Sequence, residues 1–330
     1  MEKNRPLSER ISLQELKLEV DSEITQLESP AQGDQIFIGT SSKIYSLRNE
    51  GTELRQIVSS PKGLDQFAVS ISGKRIIYVI DDKLNVCSGE GKAIKTFPLE
   101  DNYVLSVVNF SFFPNEDKIV FTGESAEPGP GGPEISVYRI CLLDPKTEKV
   151  SLLSKDFYGS VPKLLGWRGK DILFFNADSG GFLFLSTKDG SEEPVALSYS
   201  SLFEGGEVES VALSQDGNRL AFSVKYPIER VQIFENEMWK SQLVFEVEGE
   251  GGVQRALRWS PNSRWLSYIN SWFSSPTLYL IPVASEKREA LEASSLDLES
   301  KVVWLPKGDG IAFSDGKKIN ILKIQELISP

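Results

Sequence analysis

The side chains in this chain that could carry chemistry are 47 carboxylates, a set of hydroxyls and two thiols, with no imidazole among 330 residues. Without His the chain can assemble neither a Ser-His-Asp nor a Cys-His nucleophile and offers no imidazole to zinc or iron, since no other side chain titrates unperturbed near neutrality. Cys87 and Cys141 are too few for a disulfide framework or a thiolate cluster. The acidic turns at Asp81-Asp82, Asp216 and Asp309 lack D-x-D-x-D-G spacing for Ca²⁺ and read as turn residues. No phosphate-cradling glycine loop, nucleophile elbow or pair of catalytic carboxylates stands out, and no cofactor is expected. The Asn109-Phe110-Ser111 sequon falls inside a strand pattern, away from the exposed loop that glycosylation needs. One catalytic route stays open without His: a metal-dependent hydrolase or lactonase whose ion is held by Asp, Glu and Asn.

The composition favours recognition over reaction. A net charge of 36 − 47 = −11 argues against nucleic acid or an anionic membrane as the main partner, because both need a basic footprint to release counterions. Aromatic residues in acid-rich stretches point instead to a protein or peptide partner of basic or mixed character: Tyr158, Phe203, Tyr226, Trp272 and Phe273, beside Glu204, Glu229 and Arg230. No run reaches the ~20 apolar residues of a membrane span. The opening MEKNRPLSERIS lacks the apolar core of a leader. A soluble chain is therefore expected, cytoplasmic as written or exported if a leader has been removed.

A repeated hairpin must position those residues. Its clearest copy is VQRALRWSPNSRWLSYIN (253–270), in which two strands of alternating apolar residues flank the turn Ser260-Pro261-Asn262-Ser263. Copies recur at 26–39, 68–81, 110–123, 164–177, 211–224, 257–270 and 302–315. Their turn anchors are Gly33, Gly73, Glu116, Gly169, Gly217, Ser263 and Gly308, spaced by 40, 43, 53, 48, 46 and 45 residues. A period in the forties with about four strands per unit predicts an all-β fold, a seven-bladed β-propeller of four-stranded antiparallel blades. Third strands are expected at 43–48, 83–88, 135–143, 181–187, 230–235, 277–283 and 318–324, with weaker fourth strands after most of them. The blades fall at about 22–60, 64–100, 105–156, 160–200, 206–249, 253–293 and 299–326, in a single domain over 12–330 behind a flexible tail at 1–11. The seventh copy runs out after its third strand, so the apolar segment 16–20 (LKLEV) is expected to complete the last blade and close the ring.

The hairpins SQDGNRLAFS (214–223) and SPNSRWLSYI (260–269) resemble the repeat of TolB-like and WD40-like (PD40-type) propellers. In that repeat Ser-x-Asp-Gly or Ser-Pro-Asp-Gly precedes a Lys or Arg, a residue and an aromatic strand. The resemblance covers nearly the whole chain as periodicity and two or three copies as motif, with SPAQGD, WRGKD and LPKGDG departing in their turn residues. It implies the propeller fold. It implies no single activity, because such propellers serve as scaffolds, peptidase gates and envelope proteins.

In a four-stranded antiparallel blade, the links between strands two and three emerge at the same end as the links between blades. The long connections at 124–134, 225–229, 271–276, 156–159, 198–207 and 248–252 are expected there. They would bring the aromatic residues named above to one rim, surrounded by Glu127, Glu134, Glu207, Glu248 and Glu250. A non-catalytic binding scaffold or accessory subunit using that rim is the expected function. Trp167, Trp259, Trp265 and Trp304 lie inside hairpin strands and are read as blade packing.

Overall fold

The computed structural model describes residues 11–81, 83–98, 106–128, 132, 134–158, 161–176, 181–188, 192–194, 208–224, 230–235, 242–248, 253–272, 275–283, 289–291 and 301–324. Seven antiparallel sheets succeed one another along it. Blade one is β2 (Ile24–Glu28), β3 (Gln35–Thr40), β4 (Lys43–Arg48) and β5 (Arg55–Ser59), and blade two is β6 (Phe67–Val69), β7 (Arg75–Ile80), β8 (Lys83–Ser88) and β9 (Ala93–Pro98). Blade three holds β10 (Ser106–Phe112), β11 (Ile119–Pro128), β12 (Glu134–Asp144) and β13 (Lys149–Leu152), with β14 (Phe157–Tyr158) added on β12. Blade four is β15 (Lys163–Arg168), β16 (Asp171–Asn176), β17 (Gly181–Ser186) and β18 (Glu192–Pro194). Blade five is β19 (Val208–Leu213), β20 (Arg219–Val224), β21 (Arg230–Glu235) and β22 (Gln242–Glu248). Blade six is β23 (Val253–Trp259), β24 (Trp265–Trp272), β25 (Ser275–Pro282) and β26 (Glu289–Leu291), the last a fourth strand that the sequence pattern did not single out. Blade seven is β27 (Val302–Trp304), β28 (Gly310–Asp315) and β29 (Lys318–Ile324), with β1 (Ile11–Glu19) antiparallel on β29.

The first strand is longer than the 16–20 expected. Its apolar alternation changes phase between Leu13 and Leu16, and the register on β29 slips between Glu15 and Leu18, as a period-two pattern requires when its phase changes. Apart from Ile11, the tail expected at 1–11 lies outside the described residues.

The turns explain why the hairpins recur. All seven anchors have positive φ: 124° at Gly33, 72° at Gly73, 60° at Glu116, 59° at Gly169, 73° at Gly217, 56° at Ser263 and 69° at Gly308. In blade five the Ser214 hydroxyl accepts from Arg219 N (2.8 Å) and donates to Asp216 Oδ1 (2.5 Å), while Ser214 N donates to Arg219 O (2.8 Å). Ser260 makes the same set with Trp265 and Asn262, so Asn replaces Asp at no loss of a bond. Two anchors are not glycine, and both reach the preceding blade: Glu116 Oε1 accepts from Ser72 N (2.7 Å), and Ser263 Oγ from Asp216 N (3.3 Å). Arg75 and Arg219, two residues past their own anchors, donate in turn to the carbonyls of Glu116 and Ser263. At that same position blade seven has Gly310, where a Cβ would stand 2.5 Å from Leu322 O.

Some second strands carry an unbroken apolar run, as in Ile36-Phe37-Ile38 and Ile172-Leu173-Phe174, all 0% exposed. Both of their faces are buried, so the alternation expected of a half-exposed strand gives way. Five residues after the anchor stands an aromatic residue in six of the blades: Tyr78, Phe121, Phe174, Phe222, Tyr268 and Phe313. The chain divides into two compact units: Met1–Ser59 with Phe203–Glu235 and Gln242–Pro330, and Ser60–Leu202 with Asn236–Ser241. In the first, apolar clusters join blade seven to blade one, six to seven and five to six. In the second, they join two to three and three to four.

Candidate functional site

Blade three builds the best-defined part of the end expected to bind. The segment 124–134 is not a loop for most of its length: β11 and β12 run on as a paired ribbon from Glu124↔Tyr138 to Pro128↔Glu134. On this ribbon stands Arg139, a cation with its side chain 14% exposed. Its Nε donates to Asp156 Oδ1 (2.7 Å), Nη2 to Asp156 Oδ2 (3.1 Å), Nη1 to Ser125 Oγ (2.8 Å), and Nη2 also meets Glu127. The guanidinium hydrogen bond holds the Asp156 carboxyl below its ordinary range, and the two acids keep Arg139 firmly protonated. On the other face of the ribbon, Glu124 accepts from the hydroxyls of Ser106 (3.0 Å), Ser136 (2.8 Å) and Tyr138 (3.3 Å). Three carboxylates to one guanidinium leave this end negative.

Tyr158 is tied into the same network. Its hydroxyl donates to Asp156 Oδ2 (3.3 Å), and β14 pairs it with Val137, yet the residue is 53% exposed. Burial first, and then the Asp156 charge, raise its hydroxyl pKa. The sequence placed Tyr158 and Trp272 on connecting loops and Arg230 at the start of a third strand; the structure places all three at strand ends. Tyr158 lies in β14, Arg230 opposite Val224 and Glu248, and Trp272 opposite Ser275. The strands run further than the turn signals suggested because the cross-strand ladder continues wherever a partner strand is present. Phe203, Glu204, Tyr226, Glu229 and Phe273 lie outside the described residues, as do the side chains of Arg230 and Trp272. Arg139 was not anticipated. Its signal was there to read: a lone cation inside the apolar strand ISVYRICLL needs acids brought to it.

In the other unit a second polar constellation sits where inner strands end. A cavity of about 110 Å³ is lined by Glu28, Gln215, Arg258, Trp259 and Trp304, among others. Burial pushes the Glu28 carboxyl up, opposed by the charge of Arg258 and by a 2.9 Å hydrogen bond from Gln26 Nε2. Among the described residues, no three His, Cys, Asp or Glu side chains are grouped to hold a metal ion. The indoles here are structural: Trp259 Nε1 donates to Ala212 O (3.0 Å), Trp304 Nε1 to Arg258 O (3.1 Å), and in blade three's neighbour Trp167 Nε1 donates to Ser111 Oγ (3.1 Å). Each reaches from one inner strand to the inner strand of the blade before. Cys87 and Cys141, on the third strands of blades two and three, are buried free thiols whose pKa burial raises to about 11 and about 12. Neither thiol is poised as a nucleophile.

With this geometry in view, the chain compares with known proteins by fold alone. No protein-family model and no curated protein matches it. Among solved structures it is similar to the β-propeller domain of Cps50 (Swd1) of Myceliophteria thermophila, with a TM-score of 0.68 and 13% identity over 95% of this chain and 100% of that one. As many as 1285 solved chains match, so the likeness marks a fold shared across many roles. The chain has a WD40-like seven-bladed β-propeller fold, all-β, of four-stranded antiparallel blades.

Proposed function

We propose that this chain is a non-catalytic scaffold or accessory subunit that binds a basic or mixed-charge protein segment at the end of the blades where strands two and three meet. The reading takes 12–330 as one propeller domain. It assigns recognition to Tyr158, Phe203, Glu204, Tyr226, Glu229, Arg230, Trp272 and Phe273. The observation that carries it is the Arg139–Asp156–Tyr158 network: an exposed aromatic ring is held on a fixed base, with Glu127 and Asp156 beside it. A ring already ordered before contact loses little rotamer freedom on binding, and a negative surround steers a cationic partner. The similarity to the propeller domain of Cps50 (Swd1) is in keeping with such a role. Kinship with TolB-like, PD40-type repeats rests on the Ser-x-Asp-Gly turn, whose bonds are complete at Ser214, Asp216 and Gly217.

A fluorescently labelled array of Lys/Arg-rich peptides with and without an aromatic residue tests this against the full chain. Saturable binding is expected that weakens with added salt and drops about tenfold in the Tyr226→Ala, Trp272→Ala double variant. Binding untouched by that double change removes the assigned face; absence of any basic binder removes the basic partner.

A further inference from the structure

We propose that a cavity between blades two and three, at the opposite end of blade three from Tyr158, docks an acidic peptide segment of a partner protein with one large apolar side chain at its centre. The cavity encloses about 310 Å³ and opens beside the turns that follow β10 and β12. Its floor is core: Val86, Phe97, Phe112 and Ile119 are between 1% and 6% exposed and belong to the cluster that joins the two blades. At its mouth Ile94, on the outer strand β9, is 55% exposed. An isoleucine left in water beside a ready-made apolar hollow is the arrangement of an unfilled contact surface.

The polar groups at the mouth choose the occupant. In a chain of net charge −11, this opening is lined by three cations, Arg75, Lys95 and Lys146. Arg75 is anchored by the Glu116 carbonyl. Lys95 is fixed by Glu148 (2.5 Å) and by Pro145 O (3.2 Å), over the Phe97 ring at 5.3 Å. Apolar walls with a cationic mouth would by themselves also suit a fatty acid. Ile94 decides against one: it stands 55% exposed at the mouth, where the residues flanking a peptide's apolar side chain cover it and an alkyl chain sunk in the hollow does not. A backbone passing Ile94, an apolar side chain in the hollow and carboxylates toward Lys95 and Lys146 satisfy these features together. This site stands independently of the one proposed above, and its partner has the opposite charge.

The test is anisotropy of a labelled Glu-Asp-Leu-Phe-Asp-Glu peptide titrated with the full chain. Saturable binding is expected, about tenfold weaker with Ile94→Asp and two- to fivefold weaker with Lys146→Glu, both exposed positions whose melting temperatures should match the parent. A peptide with Ser in place of Leu-Phe, and one with Lys in place of the acids, should fail to bind. Equal binding to Ile94→Asp and Lys146→Glu, no saturable binding, or displacement of the peptide by decanoate with decanoate itself bound more tightly would overturn the proposal.

Discussion

Glu28 shows how a single charge is handled at the end of an inner strand. Its carboxyl is raised by burial, which outweighs the charge of Arg258 and the bond from Gln26. The unfolded carboxyl ionises near its ordinary 4.5, while the folded one still holds its proton. Stability therefore falls as pH rises through that window, and the loss persists at neutrality. Glu28→Gln keeps an oxygen for Gln26 and removes the charge. It should raise the melting temperature at pH 7 by about 2 °C, on the order of 1 kcal/mol, with the gain gone at pH 4. Thermal melts at the two pH values check this; an equal gain at both would mean that packing, and not ionisation, is responsible. Arg139 is the complementary case, a poorly exposed cation whose donors are met by Asp156, Glu127 and Ser125, so that its burial fixes the ribbon end in place.

At the scale of the element, the hairpin turn is the repeated unit of design. A serine or its substitute starts it, a positive-φ residue closes it, and the next strand is held by the serine hydroxyl as well as by the ladder. Ser214→Ala leaves the Arg219 N–H and Asp216 without that hydroxyl at a position 2% exposed, a change expected to cost about 1–2 kcal/mol in urea unfolding. Ser263→Gly should be close to neutral. Relief of a side chain at φ 56° offsets the loss of a long 3.3 Å bond. A larger loss at Ser263 than at Ser214 would show that the link to the preceding turn, and not the turn itself, is the greater source of stability. The inner strands carry a second device: register slips in blades one, three, four, five and six, between Ile24 and Gln26 in the first and Arg255 and Arg258 in the sixth. Such bulges bend a strand where sheets converge.

For the whole molecule the decisive pairing is β1 on β29, 299 and more residues apart in sequence (Glu19 to Lys318), reinforced by Val20 N to Lys317 O (3.0 Å) and Lys317 Nζ to Asp21 O (3.3 Å). Removing residues 1–19 bares the β29 edge, and concentration-dependent association is expected in light scattering. A truncated chain that stays monomeric at high concentration would show that β1 is dispensable to that edge. The chain's own order of residues determined the seven hairpins, each positive-φ anchor and the bounds of the third strands β4, β8, β21 and β29, because turn conformation and period-two patterning act within a few residues. Other features arise only where one strand or sheet meets another: the ribbon beyond Glu124, the fourth strand at Glu289, the acids gathered on Arg139 and the hollow beneath Ile94. Each depends on separate segments of the chain coming into contact, and local pattern carries no record of which segments those are. Tertiary packing alone decided them.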